Sequence, residues 1–286
     1  MTKFIFISVL SLLWAVNITA QIDVQFDKNT TFKSTPVKDI DTEVMRCLYL
    51  QKLQNDSLNP FSMKENTMLL QIGETCSKYF DYKKFQGDLF LKQIEGEEKS
   101  PTEATRLFSQ YMVMEKGSDP LNIFKNYPTG KITTTDRIPF NYYIYEEDIV
   151  APKWKLGTET VVICNYQCKK ATTLFRGRNY TAWYTPDIPM NNGPWKFQGL
   201  PGLILRVEDD KKQVSFECIG IEKSKQGELI YMTESLYIKT TKEKFNQTRK
   251  KYLDNPAAFV SGGGLVKDMP LEASKKRPYN PIELSE

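Results

Sequence analysis

Three carboxylates, Asp136, Glu146 and Asp187, are the residues whose type suits them best for chemistry, because the chain carries 35 acidic side chains and no histidine at all. Without an imidazole base, Ser-His-Asp and Cys-His nucleophilic systems are out of reach, as are the common histidine-held zinc hydrolase sites. A carboxylate pair, a Ser-Lys pair or a cofactor would still support catalysis. No spacing brings the three acids together, so a non-enzymatic role is expected, with no catalytic residue assigned and no cofactor or metal motif read. Asp136 is the exception worth following. It falls on the face of an alternating strand that should be buried, where a charge needs partners, and it is either structural or ligand-contacting. The run Glu146, Glu147, Asp148 lacks the glycine-spaced loop of a calcium site and reads as a solvated strand end.

Sulfur offers little more. The five cysteines are Cys47, Cys76, Cys164, Cys168 and Cys218. An odd count leaves at least one unpaired, and Cys164 and Cys168 lie too far apart along one strand to bond except across a turn. They read as small buried hydrophobes, with at most one disulfide of undetermined pairing. Met112 and Met114 sit two apart on a helix and share no face, so packing is expected of them, not soft-metal binding.

The candidates for ligand contact are aromatic and cluster around "GPWKFQGLPGLIL", Gly193 to Leu205. Pro201 followed by Gly202 is the pairing of a type II turn, and Gly193 and Gly199 add two more permissive points. With Pro194 they build a stiff apolar arch that feeds a strand from Leu203. Glycines that open a strand and not a helix do not make a phosphate loop. The arch is either a clamp closing one end of a sheet, the favoured reading, or the rim of a pocket. Trp183, Tyr184, Trp195, Phe197 and Leu200, with Asp136, are the contact candidates for an apolar ligand or an extended peptide.

The elements that must position these residues are mostly strands. Val44–Leu53 and "NTMLLQIGETCSKYFDY" have extended composition, turning at Gly73-Glu74. A hairpin is expected around Pro128 to Gly130, after which Ile132, Thr134, Ile138, Phe140, Tyr142 and Ile144 keep period two. Three short strands follow, broken at Asn165-Tyr166 and Gly177, and "LILRVEDDKKQVSFECIGI" is another hairpin turned by Asp209, Asp210 and Lys211. "SPTEATRLFSQYMVMEK" is a helix capped by Ser100, and "TTKEKFNQTRKKYLD" a second capped by Thr240 or Thr241. The sum is a mainly β protein: a large curled antiparallel sheet or half-barrel with two covering helices.

The amino terminus supplies an address. Lys3, an apolar run from Phe4 to Val16 and the small residue Ala20 form an export signal over residues 1–20, too short to span a bilayer. A flexible lead is expected over 21–41, one domain over 42–260, and a loosely ordered tail over 261–286. Without Lys3, 38 basic residues face 35 acidic ones, a net of about +3 that is scattered and gives no reason to expect nucleic acid. No transmembrane segment is expected in the mature chain.

Several motifs together resemble the GLPGLI family of exported proteins from the Bacteroidetes lineage: Gly199 to Ile204 itself, "FRGR" at Phe175–Arg178, "TAWYTPDIP" at Thr181–Pro189, "GPWKF" at Gly193–Phe197, "YYIYEED" at Tyr142–Asp148 and "YNPIEL" at Tyr279–Leu284. Asn165 stands where the family pattern usually has glycine, and asparagine tolerates the left-handed conformation that the turn requires. The resemblance implies a periplasmic or envelope protein and carries over no catalytic residue. At the level of fold it is also similar to the half-barrels of periplasmic lipoprotein carriers. The leading expectation is a carrier of a lipid or peptide on a concave sheet. The alternatives are an interaction partner of an outer-membrane transporter or secretion assembly, offering Phe140–Tyr145 for strand addition, and a hydrolase using Asp136, Asp187 and Glu146.

Overall fold

The computed structural model describes residues 4–6, 26–27, 29–225, 227–262 and 274–285. The export signal lies outside these residues apart from the backbone of Phe4–Phe6, and the glycine run lies outside them beyond Gly262. In chain order the elements are β1 (Phe4–Phe6), β2 (Thr30–Lys33), β3 (Val37–Gln54), β4 (Met63–Gly73), β5 (Ser77–Asp81), α1 (Tyr82–Gln93), β6 (Glu98–Lys99), α2 (Pro101–Glu115), β7 (Asn122–Lys125) and β8 (Lys131–Ile138). They continue as β9 (Asn141–Asp148), β10 (Lys155–Ile163), β11 (Tyr166–Phe175), β12 (Arg178–Thr185), β13 (Leu203–Asp209), β14 (Val214–Lys223), β15 (Leu229–Thr233), β16 (Tyr237–Lys239), α3 (Lys242–Asp254) and α4 (Pro256–Gly262).

The protein is mainly β, and thirteen strands form one large mixed sheet that does not close into a barrel. Its order is β10-β11-β12-β13-β14-β3-β4-β5-β7-β8-β9-β16, with β15 paired to the first half of β3. All its pairings are antiparallel except that of β16 with β9. The short β1, β2 and β6 make a separate small sheet.

Local sequence explains the tight connections. Cys164 and Asn165 both have positive φ, as do Arg176 and Gly177, so β10-β11 and β11-β12 are joined by two-residue turns whose twist matches the strands. Asp209 Oδ1 accepts from the Gln213 and Val214 amides and holds the β13-β14 turn. Ser100 caps α2 through the Glu103 amide, and Thr241 caps α3 through that of Lys244. The main core packs Tyr49, Met68, Tyr79, Phe197, Leu203 and Phe216 along one face of the sheet.

Four points differ from the sequence reading. Four helices lie among the described residues, because α1, with Gly87 in its interior, and the short α4 accompany the two expected. Pro139 and Phe140 form a turn, Phe140 with φ of 73°, so the period-two run is two strands and not one. The phase therefore shifts, and β9 turns Tyr143 and Tyr145, not Tyr142 and Ile144, to the buried face beside Ile138. Within the stretch read as a flexible lead, Phe26 and Phe32 pack against Phe108 of α2, apolar residues sufficient to order β2.

The fourth point concerns the arch. No type II turn forms at Pro201-Gly202. The Gly202 amide bonds to Leu200 O at 2.9 Å, a three-residue γ-turn around Pro201, and the Leu203 amide is taken instead by Ile188 O at 3.0 Å. Gly202 has φ of 148°, and a Cβ there would lie 2.1 Å from Thr185 O. Only glycine lets the arch press this closely onto the end of β12.

A candidate pocket beneath the arch

The arch is fastened to the sheet from below. Lys125 on β7 is buried, and its Nζ donates to Gly193 O at 2.6 Å and Phe197 O at 3.4 Å. Trp154 Nε1 donates to Gln198 O at 2.8 Å on the other flank. Phe197 is 0 % exposed, ringed by Tyr180, Trp195, Phe216 and Phe175 at centroid distances of 4.8, 5.2, 6.0 and 6.0 Å. Leu200 is 2 % exposed and Tyr184 is buried in the same core. Trp183 is half-buried and packs against the same core, beside an irregularity in the β12-β13 pairing. None of these four lines either of the two cavities described below, and the arch acts on them as a clamp.

Trp195 and Asp136 are placed differently. Both line a pocket of about 540 Å³ between the β7-β8-β9 part of the sheet, α3, the arch and the closing segment 278–283. Trp195 has φ of 50°, a conformation uncommon for a bulky residue, set in the turn closed by the Phe197 amide on Pro194 O at 3.0 Å. Asp136 is buried and paired with Arg249 of α3. Burial lifts its carboxyl above the usual range against the opposing pull of Arg249. The floor is apolar, from Leu121, Ile123 and Tyr145. Above it Thr134 is 0 % exposed, and its Oγ1 has no hydrogen-bond partner among the described residues. A buried hydroxyl without a partner costs roughly 1–3 kcal/mol, and a ligand group would satisfy it.

The rim of the pocket is an ionic cluster drawn from motifs far apart in the chain. Glu147 of "YYIYEED" meets Arg176 of "FRGR" at 3.0 Å and Lys196 of "GPWKF" at 2.7 Å. Glu283 of "YNPIEL" meets the same two cations at 3.0 and 2.6 Å, and Lys242 at the start of α3 contacts both carboxylates. Burial alone would raise the Glu283 carboxyl, but Lys196 and Arg176 outweigh it and hold it below the usual range. Three cations against two carboxylates leave one positive charge in excess. Alongside, Arg178 is buried against Asp209 at 2.8 Å and also donates to Asn280 Oδ1 and Pro281 O, both at 2.7 Å. The closing segment, read from sequence as part of a loose tail, is thus gripped as an extended peptide, its carbonyls taken by arginine and its side chains by the cluster.

Sequence reasoning missed Thr134, Glu147, Arg176, Lys196, Lys242, Arg249 and Glu283. The available signal was charge inside apolar motifs: a lysine in "GPWKF" and two arginines in "FRGR" have no reason to sit among aromatics unless paired. The three acids of the hydrolase reading do not meet. Asp136 is buried on one face, Glu146 is exposed on the other, and Asp187 is exposed on the arch loop. All five cysteines are free thiols, four buried and Cys164 half-buried.

No curated protein matches the chain. Two solved structures of PNGF-II, in P21 and C2 space groups, are similar at 13% and 14% identity over 72% and 73% of this chain, each with a TM-score of 0.44. The chain spans about a third of their length, 33% and 32%. The family model described as a protein of unknown function (Porph_ging) matches residues 175–206, the stretch from the end of β11 through the arch that carries Arg176, Arg178, Trp195 and Lys196.

Proposed function

We propose that this chain is an exported envelope protein of the GLPGLI type that binds an extended peptide in the pocket between β7-β8-β9 and α3. The observation that carries the reading is the unpartnered Thr134 hydroxyl buried in that pocket. The pocket's chemistry favours a peptide over an acyl chain. Asn246, Gln247 and Lys250 line it together with the apolar floor, and hydrocarbon would strip water from these polar groups without returning a hydrogen bond. The grip on residues 278–284 supplies a template, since Arg178, beside the pocket, already holds one segment by its Pro281 and Ile282 carbonyls.

The test is mass spectrometry of small molecules released by denaturing the mature protein purified natively from its own envelope fraction. Stoichiometric short peptides are expected. Thr134→Val, which keeps the shape and removes the orphan hydroxyl, should leave the fold at least as stable and weaken peptide binding roughly tenfold, about 1.4 kcal/mol. Folded protein that releases nothing, or only lipid, overturns the reading.

A second reading, strand addition to an envelope partner, is favoured by one feature. β9, which carries Tyr142–Tyr145, lies between β8 and β16, whereas β10 is outermost and exposes Leu156 and Val162. Crosslinking in cells from β10 that recovers no recurrent partner removes this reading.

A further inference from the structure

The other face of the same strands holds a second cavity, of about 370 Å³. Alternation along the strands divides most of the two linings, Ile123, Thr134 and Asp136 to the first and Asn122 to the second, while Pro120 and Arg137 border both. On β5, Tyr79 enters the main core while Lys78 and Phe80 face this second cavity.

Lys78 is only 2 % exposed and makes no ion pair among the described residues. Its Nζ donates one hydrogen bond, to Tyr231 O at 3.0 Å, and lies 3.9 Å and 4.1 Å from the ring centroids of Phe80 and Tyr231. The carboxylate on α1, Asp88, is engaged by the Tyr231 hydroxyl at 2.8 Å. Glu115 of α2 is seated over Gly87, where a Cβ would come within 2.6 Å of its Oε1. Lys84 of α1, Lys64 of β4, Arg137 of β8 and the phenols of Tyr111, Tyr142 and Tyr237 complete the charged and titratable lining. Burial brings the Lys78 amine down to about 7, with Asp88 opposing and Lys84 reinforcing, and burial raises Glu115 to about 7. Both groups are therefore brought to titrate near neutral pH.

This chemistry selects the occupant. An incoming cation would meet Lys64, Lys84 and Arg137 and find the ring faces already taken by Lys78. A neutral electrophile meets neither obstacle, and a desolvated lysine is the nucleophile suited to a carbonyl carbon. We propose that Lys78 captures a small aldehyde in this cavity as an imine. The amine lone pair forms the C–N bond, and the carbonyl oxygen leaves as water with the two amine hydrogens. Glu115 relays one of these by protonating the departing hydroxyl and recovering a proton from the nitrogen.

The experiment treats the folded full chain with butanal and cyanoborohydride and maps butylated lysines by mass spectrometry. At about pH 7.5, Lys78 should be modified at least roughly tenfold faster than exposed lysines. Relative to those lysines in the same sample, its excess labelling should stay constant below about pH 7 and shrink about tenfold per unit above it. Glu115→Gln should slow the Lys78 reaction with circular dichroism unchanged. A map in which surface lysines are butylated and Lys78 is spared, or in which Lys78 titrates with them, overturns the proposal. The wild-type map decides this without any variant, and neither result touches the peptide pocket on the opposite face.

Discussion

Gly202 shows how one residue sets the arch. Its φ of 148° and the 2.1 Å approach of a virtual Cβ to Thr185 O are separate costs, and a second glycine separates them. Gly130 has φ of 80° with nothing within 4 Å of its virtual Cβ, so Gly130→Ala meets conformational strain alone. Gly130→Ala should cost about 1 kcal/mol, and Gly202→Ala roughly 3 kcal/mol or more, because the end of β12 must also move. Urea midpoints compared at constant slope would measure both. Equal losses would show that φ alone matters and that the close approach relaxes freely. The pairing Pro201-Gly202 was legible as a turn, but its type was not. Propensity describes an isolated tetrapeptide, whereas here Ile188 O competes for the Leu203 amide that would have closed the type II hydrogen bond.

At the scale of elements, the chain's last described segment acts as a clasp. It joins the β11-β12 turn, the arch, β9 and the start of α3, elements that do not otherwise share a strand pairing. Arg178 and Glu283 fasten it differently, and their removal should read differently. Arg178→Met leaves Asp209 buried beside an apolar side chain, and losing one partner of a buried pair should cost roughly 3–5 kcal/mol of global stability. Glu283→Gln leaves Glu147 to face three cations and should release the clasp with the sheet intact. Hydrogen exchange would show faster amides over 277–285 and unchanged protection in β3 and β4. Global loosening in Glu283→Gln would mean that the cluster, not the sheet, holds the fold. Much at this scale was readable beforehand: the hairpins from Asn165 and Gly177, α2 and α3 from their caps. Glu147 was within reach too, since it continues the alternation of Tyr143 and Tyr145, but running the period through Phe140 put the wrong residues on the inner face. Glu283 was not, because nothing local marks a carboxylate 107 positions away as the partner of Arg176.

For the whole molecule, the two faces of the sheet each bury a lysine on neighbouring strands, and this gives the fold an unusual dependence on pH. Lys78 and Lys125 are both brought by burial from 10.5 to about 7. Between those values the unfolded chain holds a proton on each that the folded chain does not, so stability rises with pH, by about 1.4 kcal/mol per unit for each lysine. Buried thiols act in the opposite sense. Burial raises Cys47 and Cys76 from 9.0 to about 12, so above 9 the folded chain keeps protons that the unfolded chain loses, and stability falls. Glu115, raised to about 7 from 4.5, makes stability decline as pH climbs toward 7. Burial raises the Cys168 and Cys218 thiols as well, so that together these effects predict a minimum near pH 7 and a maximum near 9. Urea midpoints at pH 7, 8 and 9 should increase in the wild type, and Lys78→Met and Lys125→Met should each remove about half of that slope. A wild-type midpoint that is flat or falling over this range would mean that both ammonium groups stay charged when buried, Lys78 held by the Phe80 and Tyr231 rings and Lys125 by the arch carbonyls. The imine-forming amine proposed for the second cavity would then be lost with it, whereas the clasp and the peptide pocket, which depend on neither titration, would stand.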